Sequence, residues 1–131
     1  MSIFDSIRDI FKSESDGSVN PKWGKLTASS ELSEIEEASH SKPQLIYKHS
    51  TRCATSYFAL KDLQKIPEST FENINGYLVD VIGQRTLSGE ISKYFNIRHE
   101  SPQVIIVKDG EVIWTASHGN VRTESILDVI E

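Results

Sequence analysis

The only cysteine of the chain, Cys53, lies between an apolar segment and a predicted helix. Residues 44–48 predict a buried strand, and residues 57–66 predict a helix that ends before Pro67. Unpaired N–H groups and the positive dipole end of a helix N-terminus stabilise a thiolate, which is the reactive form of cysteine. We therefore predict that Cys53 is a reactive thiol; the alternative is a small buried cysteine that fills the core.

The residues around Cys53 predict a site with a single thiol. Ser56 stands where a C-x-x-C motif would have its second cysteine, so no disulfide can close within this turn. The thiolate can form a mixed disulfide, but an outside thiol must resolve it. We expect Thr51 and Ser56 to hydrogen-bond the sulfur or to cap the helix, and Arg52 either to add positive potential or to be a plain surface charge.

Two other segments are candidates for binding. Ser101-Pro102 opens an apolar β-branched strand at residues 103–107, and a cis peptide is a typical way to use proline there. The alternative is an ordinary proline at the start of a strand. His118-Gly119-Asn120 precedes the last predicted helix, where backbone N–H groups can bind an anion, or it is simply a turn with a cap.

The histidines do not predict a metal site. His49, His99 and His118 match no helix-borne ligand spacing, and no cysteine cluster supports them. We expect no metal, and we expect His49 and His118 to be structural or to line the thiol site.

The elements that position these residues follow a β-α-β-α-β-β-α order from Pro43 onward. The strands at 44–48 and 76–82 are joined by a helix, so we expect them to be parallel. Asp109-Gly110 predicts a hairpin between the antiparallel strands 103–107 and 111–117. A helix at 85–95, an earlier acidic helix capped by Ser29 or Ser30, and a last helix capped by Asn120 or Thr123 complete the pattern. This α/β order, with a mixed central sheet flanked by helices, is the layout of the thioredoxin fold.

The N-terminal residues lie outside this pattern. Residues 1–12 place their apolar side chains on one face of a predicted helix, and residues 13–20 are polar and loop-like. We predict an N-terminal helix and linker at 1–20 and a thioredoxin-like domain at 21–131. A helix that docks on its own domain or on a partner fits the nearly balanced charge of the polar face better than a helix on a membrane surface.

Composition restricts the classes of function. The chain has 131 residues, of which 37% are hydrophobic and 25% charged, with a formal net charge of -5. This charge argues against general binding to nucleic acids or anionic membranes, both of which need a basic surface. No apolar run approaches the roughly 20 residues of a membrane span, and the N-terminus lacks a secretory-signal pattern. With one cysteine and no possible internal disulfide, we expect a reducing, cytoplasmic setting.

The segments YKHSTRCATS and IRHESPQVIIVKDGEVIWTASHGNV together resemble the YtxJ family of monothiol bacilliredoxins. The resemblance covers roughly residues 22–131 and implies that Pro102 is cis and faces Cys53, with Ser101 offering backbone groups to the substrate. A similar turn in glutaredoxins binds the carboxylate end of glutathione, which implies thiol binding at His118, Gly119 and Asn120. Family members usually carry proline directly after the cysteine. Here that residue is Ala54, which can loosen the helix start.

The resemblance implies a thiol-disulfide oxidoreductase of the stress response that removes bacillithiol from mixed disulfides on S-thiolated client proteins. It implies no bound cofactor, and the small thiol is a co-substrate. Two alternatives come from other classes. Monothiol glutaredoxins carry iron–sulfur clusters on a similar C-x-x-S site, and a thioredoxin fold with a vestigial thiol can serve only as an interaction module.

Overall fold

The computed structural model describes residues 23–130, which form five strands and four α-helices. The strands are β1 (Trp23–Lys25), β2 (Gln44–His49), β3 (Asn75–Asp80), β4 (Gln103–Lys108) and β5 (Glu111–Ser117). The helices are α1 (Leu32–Ala38), α2 (Ala54–Leu63), α3 (Arg85–Tyr94) and α4 (Thr123–Ile130). Short 3-10 turns occupy Ser29–Glu31, Glu68–Glu72 and His118–Asn120. The predicted N-terminal helix and linker lie outside the described residues.

The five strands form one mixed sheet in the order β1-β3-β2-β4-β5. β2 pairs in parallel with β3 and antiparallel with β4, and β4 pairs antiparallel with β5. The predicted directions of these pairs are confirmed. The hairpin turn has Asp109 at φ 53° and Gly110 at φ 80°. Positive φ at both central residues is the geometry for which Asp-Gly is selected, because it matches the twist of the flanking strands.

The central strand β2 is covered on both faces, and all six of its residues are buried. Leu45 and Tyr47 pack with apolar residues of α2 and α4, while Ile46 packs on the other face with apolar residues of α1 and α3. Successive side chains of a strand point to opposite faces, so neighbouring residues of β2 enter different cores. No helix within residues 23–130 is long and apolar enough to cross a membrane.

Two predicted helix starts are wrong. α2 begins at Ala54 instead of residue 57 because Cys53 is extended and its carbonyl already accepts the Tyr57 N–H at 3.1 Å. The predicted cap of the acidic helix by Ser29 or Ser30 is replaced by a carboxylate. Glu31 accepts the backbone N–H groups of Thr27 and Ala28, both at 3.0 Å, and so closes the turn that leads into α1.

Candidate active site

Cys53 lies at the junction between the central strand and α2. β2 ends at His49, the turn at residues 50–52 follows, and Cys53 is the residue immediately before the helix. The Cys53 N–H donates to the Ser50 carbonyl at 3.4 Å, which holds the turn closed. The thiol is partly exposed and free. A helix N-terminus therefore meets an accessible sulfur, as predicted.

Hydrogen bonds from the first turn of α2 hold the pKa of the Cys53 thiol below its ordinary value. The backbone N–H of Ser56 contributes most, and partial burial opposes it. The backbone N–H of Thr55 and the hydroxyls of both residues add smaller lowering effects. The thiolate is therefore stabilised by local donors, which favours a reactive cysteine.

Ser56 also anchors the turn. It is fully buried, its hydroxyl accepts the Ser50 N–H at 3.3 Å, and its carbonyl accepts the Tyr47 hydroxyl at 3.2 Å. The supporting role predicted for Ser56 thus corresponds to real contacts. Thr51 and Arg52 are exposed, and the hydroxyl that was expected from Thr51 is supplied by Thr55.

A buried aromatic pair lies close to this turn. Tyr47 and His49 are both buried, and the Tyr47 hydroxyl lies 3.3 Å from His49 Nδ1. Burial raises the pKa of Tyr47, and the charge of Cys53 raises it further. Tyr47 therefore stays protonated and serves as a fixed donor in a water-poor environment.

The Ser101–Pro102 peptide bond is cis, as predicted. Gln103 pairs with Lys48 in the antiparallel β2–β4 ladder, so Pro102 lies at the end of the sheet from which the Cys53 turn emerges. The Ser101 hydroxyl is buried and has no hydrogen-bond partner within residues 23–130. This hydroxyl and the adjacent backbone are thus placed at the same end of the sheet as the reactive sulfur.

The third predicted segment contacts the second. The His118 N–H donates to the Pro102 carbonyl at 3.0 Å, and His118 has a left-handed φ of 55°. Gly119 and Asn120 follow in an exposed 3-10 turn. A groove of about 770 Å³ runs between α2 and α4, and its lining includes Thr55, Phe58, His118 and Gly119. Because Thr55 is only two residues after Cys53 in the chain, the groove lies beside the start of α2.

An internal carboxylate already occupies the N-terminus of α4. Asp62 accepts the Thr123 N–H at 2.7 Å and lies 3.3 Å from the ammonium of Lys65. Asp62 thereby does the capping that the sequence assigned to Asn120 or Thr123. An anionic ligand at the adjacent turn would meet this negative charge, and the exposed cations nearby are Lys65 and Arg122.

The three histidines considered as metal ligands lie in different surroundings. His49 contacts Tyr47, His99 contacts Lys48, and His118 belongs to the turn before α4. Within residues 23–130, no group of three or more His, Cys, Asp or Glu side chains is placed to hold a metal ion.

Three features of the site were missed from the sequence. Thr55 replaces Thr51 as a donor, Asp62 caps α4, and Lys48 is fully buried with neutral partners. Lys48 had one visible signal, since it stands in a segment predicted to be a central strand, where a lysine is unusual. The contact of Asp62 joins residues 61 positions apart and has no local signal.

Comparisons with known proteins agree with this geometry. The family model of the monothiol bacilliredoxin BrxC matches residues 24–126. A solved structure of a candidate oxidoreductase with a thioredoxin fold matches with a TM-score of 0.72 and 29% identity, over 84% of this chain and 95% of that one. Thioredoxin O2 from Arabidopsis thaliana, in its oxidised state, matches with a TM-score of 0.64 and 18% identity, over 83% and 94% of the two chains. At that lower identity the match shows the thioredoxin-like fold alone.

Proposed function

The chain belongs to the monothiol bacilliredoxin family, and from that premise we propose that it removes bacillithiol from mixed disulfides on client proteins. Family and fold together support a thiol oxidoreductase in the broader sense. The finer proposal names the small thiol as co-substrate, S-thiolated proteins as partners, and the reducing cytoplasm as the setting. It includes no resident cofactor and no role for nucleic acid or membrane.

The exchange proceeds through Cys53 in two balanced steps. The Cys53 thiolate attacks the bacillithiol sulfur of the client mixed disulfide, and the client sulfur leaves as a thiolate that takes up a proton. Cys53 now carries the small thiol in a disulfide. A second bacillithiol thiolate attacks the sulfur of the bound one, releases the Cys53 thiolate and leaves as oxidised bacillithiol.

The observation that carries the proposal is the position of a free, partly exposed Cys53 immediately before α2, where donors of Ser56 and Thr55 lower the pKa of its thiol. The same donors stabilise the Cys53 thiolate before its attack and again when the second step releases it from the disulfide. A vestigial thiol in an interaction module would need no such donors. The observation thus favours a catalytic cysteine over the non-catalytic alternative.

The absence of a second thiol sets the type of exchange. The fourth position of the motif is Ser56, whose hydroxyl is already engaged with the Ser50 N–H. Cys53 is the only cysteine of the sequence, so the adduct cannot be resolved within the chain. The adduct must therefore be resolved by a thiol from outside the chain, and the proposal assigns that role to bacillithiol.

Intact-mass spectrometry tests the proposal directly. Reduced protein is incubated with oxidised bacillithiol, and the expected result is one adduct on the wild type and none on Cys53→Ser. Addition of reduced bacillithiol should then remove the adduct. A wild-type protein that stays unmodified, or an adduct that also forms on Cys53→Ser, would refute the proposal.

A further inference from the structure

Lys48 places a charged group in the interior, on the face of β2 opposite to α2. Its side chain is 0% exposed, which is rare for lysine. The ammonium donates to the Ser88 carbonyl at 2.9 Å, to the Ser92 hydroxyl at 2.8 Å and to His99 Nδ1 at 3.0 Å. These three acceptors match the three N–H donors of the ammonium.

The stability of the core does not explain this lysine. A buried ammonium with neutral partners loses hydration without an opposite charge to offset the loss. An apolar side chain of similar length would pack between β2 and α3 at a lower cost in free energy. The reason for Lys48 must therefore lie in what its hydrogen bonds hold in place.

Those bonds join the central strand to the segment that carries the cis proline. β2 leads into the Cys53 turn, α3 supplies Ser88 and Ser92, and His99 belongs to residues 95–102 between α3 and β4. His99 itself is solvent-exposed, so its contact with Lys48 fastens this part of the segment to the interior.

A second polar contact holds the same segment. Gln103 donates its side-chain N–H to the Arg98 carbonyl at 2.9 Å. Gln103 is also the antiparallel partner of Lys48, and paired residues project from the same face of a sheet. Two neighbouring residues of the sheet thus hold residues 98 and 99, which only Glu100 separates from Ser101 and Pro102.

We propose that Lys48 is a positioning residue for the exchange: through His99 it holds the segment from which Ser101 and Pro102 align a mixed disulfide with Cys53. This inference rests on the proposed function. Because the Pro102 carbonyl accepts the His118 N–H, the position of the segment also affects the turn before α4. Lys48 acts only through the segment, since it lies on the other face of the sheet.

The contact requires an unprotonated Nδ1 on His99. Partial burial of its ring and the charge of Lys48 lower the pKa of His99, whereas Glu100 raises it, and the Ser88 hydroxyl, 3.4 Å from its Nδ1, is neutral. Burial lowers the pKa of Lys48 to about 8. At pH 7 an ammonium donor therefore meets an imidazole acceptor, while a proton on His99 would bring two cations together.

The test compares Lys48→Met and His99→Leu with Ser92→Ala as the matched control. Ser92→Ala removes another acceptor of Lys48 but leaves the contact with His99 intact. Reduced protein is mixed with a peptide whose cysteine carries bacillithiol, and peptide release is followed by stopped flow. Alkylation of Cys53 by iodoacetamide is measured in parallel, because a small reagent needs no alignment by the segment.

We expect Lys48→Met and His99→Leu to slow peptide release about tenfold, with alkylation and the Ser92→Ala rates changed less than about twofold, because misalignment of reacting atoms costs rate without changing thiolate reactivity. His99→Gln, whose amide oxygen can accept the same hydrogen bond, should recover most of the rate. Since His99 is exposed, His99→Leu still provides the test if Lys48→Met does not fold.

Wild-type rates of peptide release in both variants would overturn the inference, and so would equal slowing in Ser92→Ala. If the wild type releases no peptide, the proposed function fails instead, and hydrogen exchange decides whether Lys48 holds the segment through His99. Faster exchange of the backbone N–H groups at residues 97–101 in His99→Leu than in Ser92→Ala would support it. Equal protection in the two variants would overturn it.

Discussion

Tyr47 and Lys48 are consecutive residues of β2, and each buries a polar group on a different face of the sheet. The Tyr47 hydroxyl donates to the Ser56 carbonyl, next to the reactive sulfur. The Lys48 ammonium donates to α3 and to His99, in the segment before Pro102. One face is thus connected to the thiol and the other to the proline. A single strand therefore supports the helix that follows the thiol on one side and the segment before the cis proline on the other.

The largest expected effect is a difference in the free energy of unfolding between variants on the two faces of β2. Tyr47→Ala should lower the free energy of unfolding by about 3–5 kcal/mol, because it opens a cavity between β2 and α2. Lys48→Met should change it by less than about 1 kcal/mol, since an apolar side chain replaces a costly buried charge. Urea unfolding measures both values. Similar losses in the two variants would contradict the comparison.

A second prediction uses the pH dependence of stability. The pKa of Lys48 is lowered to about 8, whereas an unfolded lysine titrates at 10.5. Above pH 8 the native lysine loses its proton while the unfolded chain keeps it, so the unfolded state binds more protons and stability rises with pH. The cost of the buried charge is fully present below pH 8.

Urea unfolding between pH 7 and about 9 measures this rise, with the upper limit kept below the ordinary pKa of tyrosine so that Tyr47 titrates in neither state. The wild type should gain stability relative to Lys48→Met across that interval, whereas Tyr47→Phe, a matched change on the other face, should follow the wild type. A constant difference between wild type and Lys48→Met would show that Lys48 titrates normally.

The smallest expected effect concerns the thiol itself. Ser56→Ala removes one hydroxyl donor to Cys53 but keeps the backbone N–H that lowers the pKa of the thiol most. The pKa of Cys53 should therefore rise only part of the way to its ordinary value, and alkylation at pH 7 should slow several-fold. The pH profile of iodoacetamide alkylation gives the pKa. Ser69→Ala, an exposed change in the 3-10 turn Glu68–Glu72 that follows α2, is the control.

Local sequence signals predict most of the strands and turns that position the site. The apolar strand before Cys53 and the Asp109-Gly110 turn each depend on a few adjacent residues, and both are confirmed. The cis bond at Pro102, which the residues left open and the family resemblance implied, is also confirmed. The start of α2 was placed three residues late because nothing in the residues after Cys53 marks a cap; the extended backbone of Cys53 itself ends the turn.

Other parts of the site depend on contacts between distant residues. The bond from Lys48 to His99 spans 51 positions, and the cap of α4 by Asp62 spans 61. A lysine at the end of an apolar strand is normally read as the point where the strand reaches solvent. Its burial follows only from how α3 and the segment before Pro102 cover it, which the sequence of β2 does not contain.

The solitary cysteine has a consequence for the steady-state kinetics of the proposed exchange. Since Cys53 must release the client before it meets the second small thiol, the two substrates never occupy the sulfur together. Such a substituted-enzyme cycle gives ping-pong kinetics, with parallel double-reciprocal plots as the second thiol is varied. At limiting bacillithiol the chain accumulates with Cys53 in a disulfide with the small thiol. The fraction of Cys53 in this form therefore reports the supply of reduced bacillithiol.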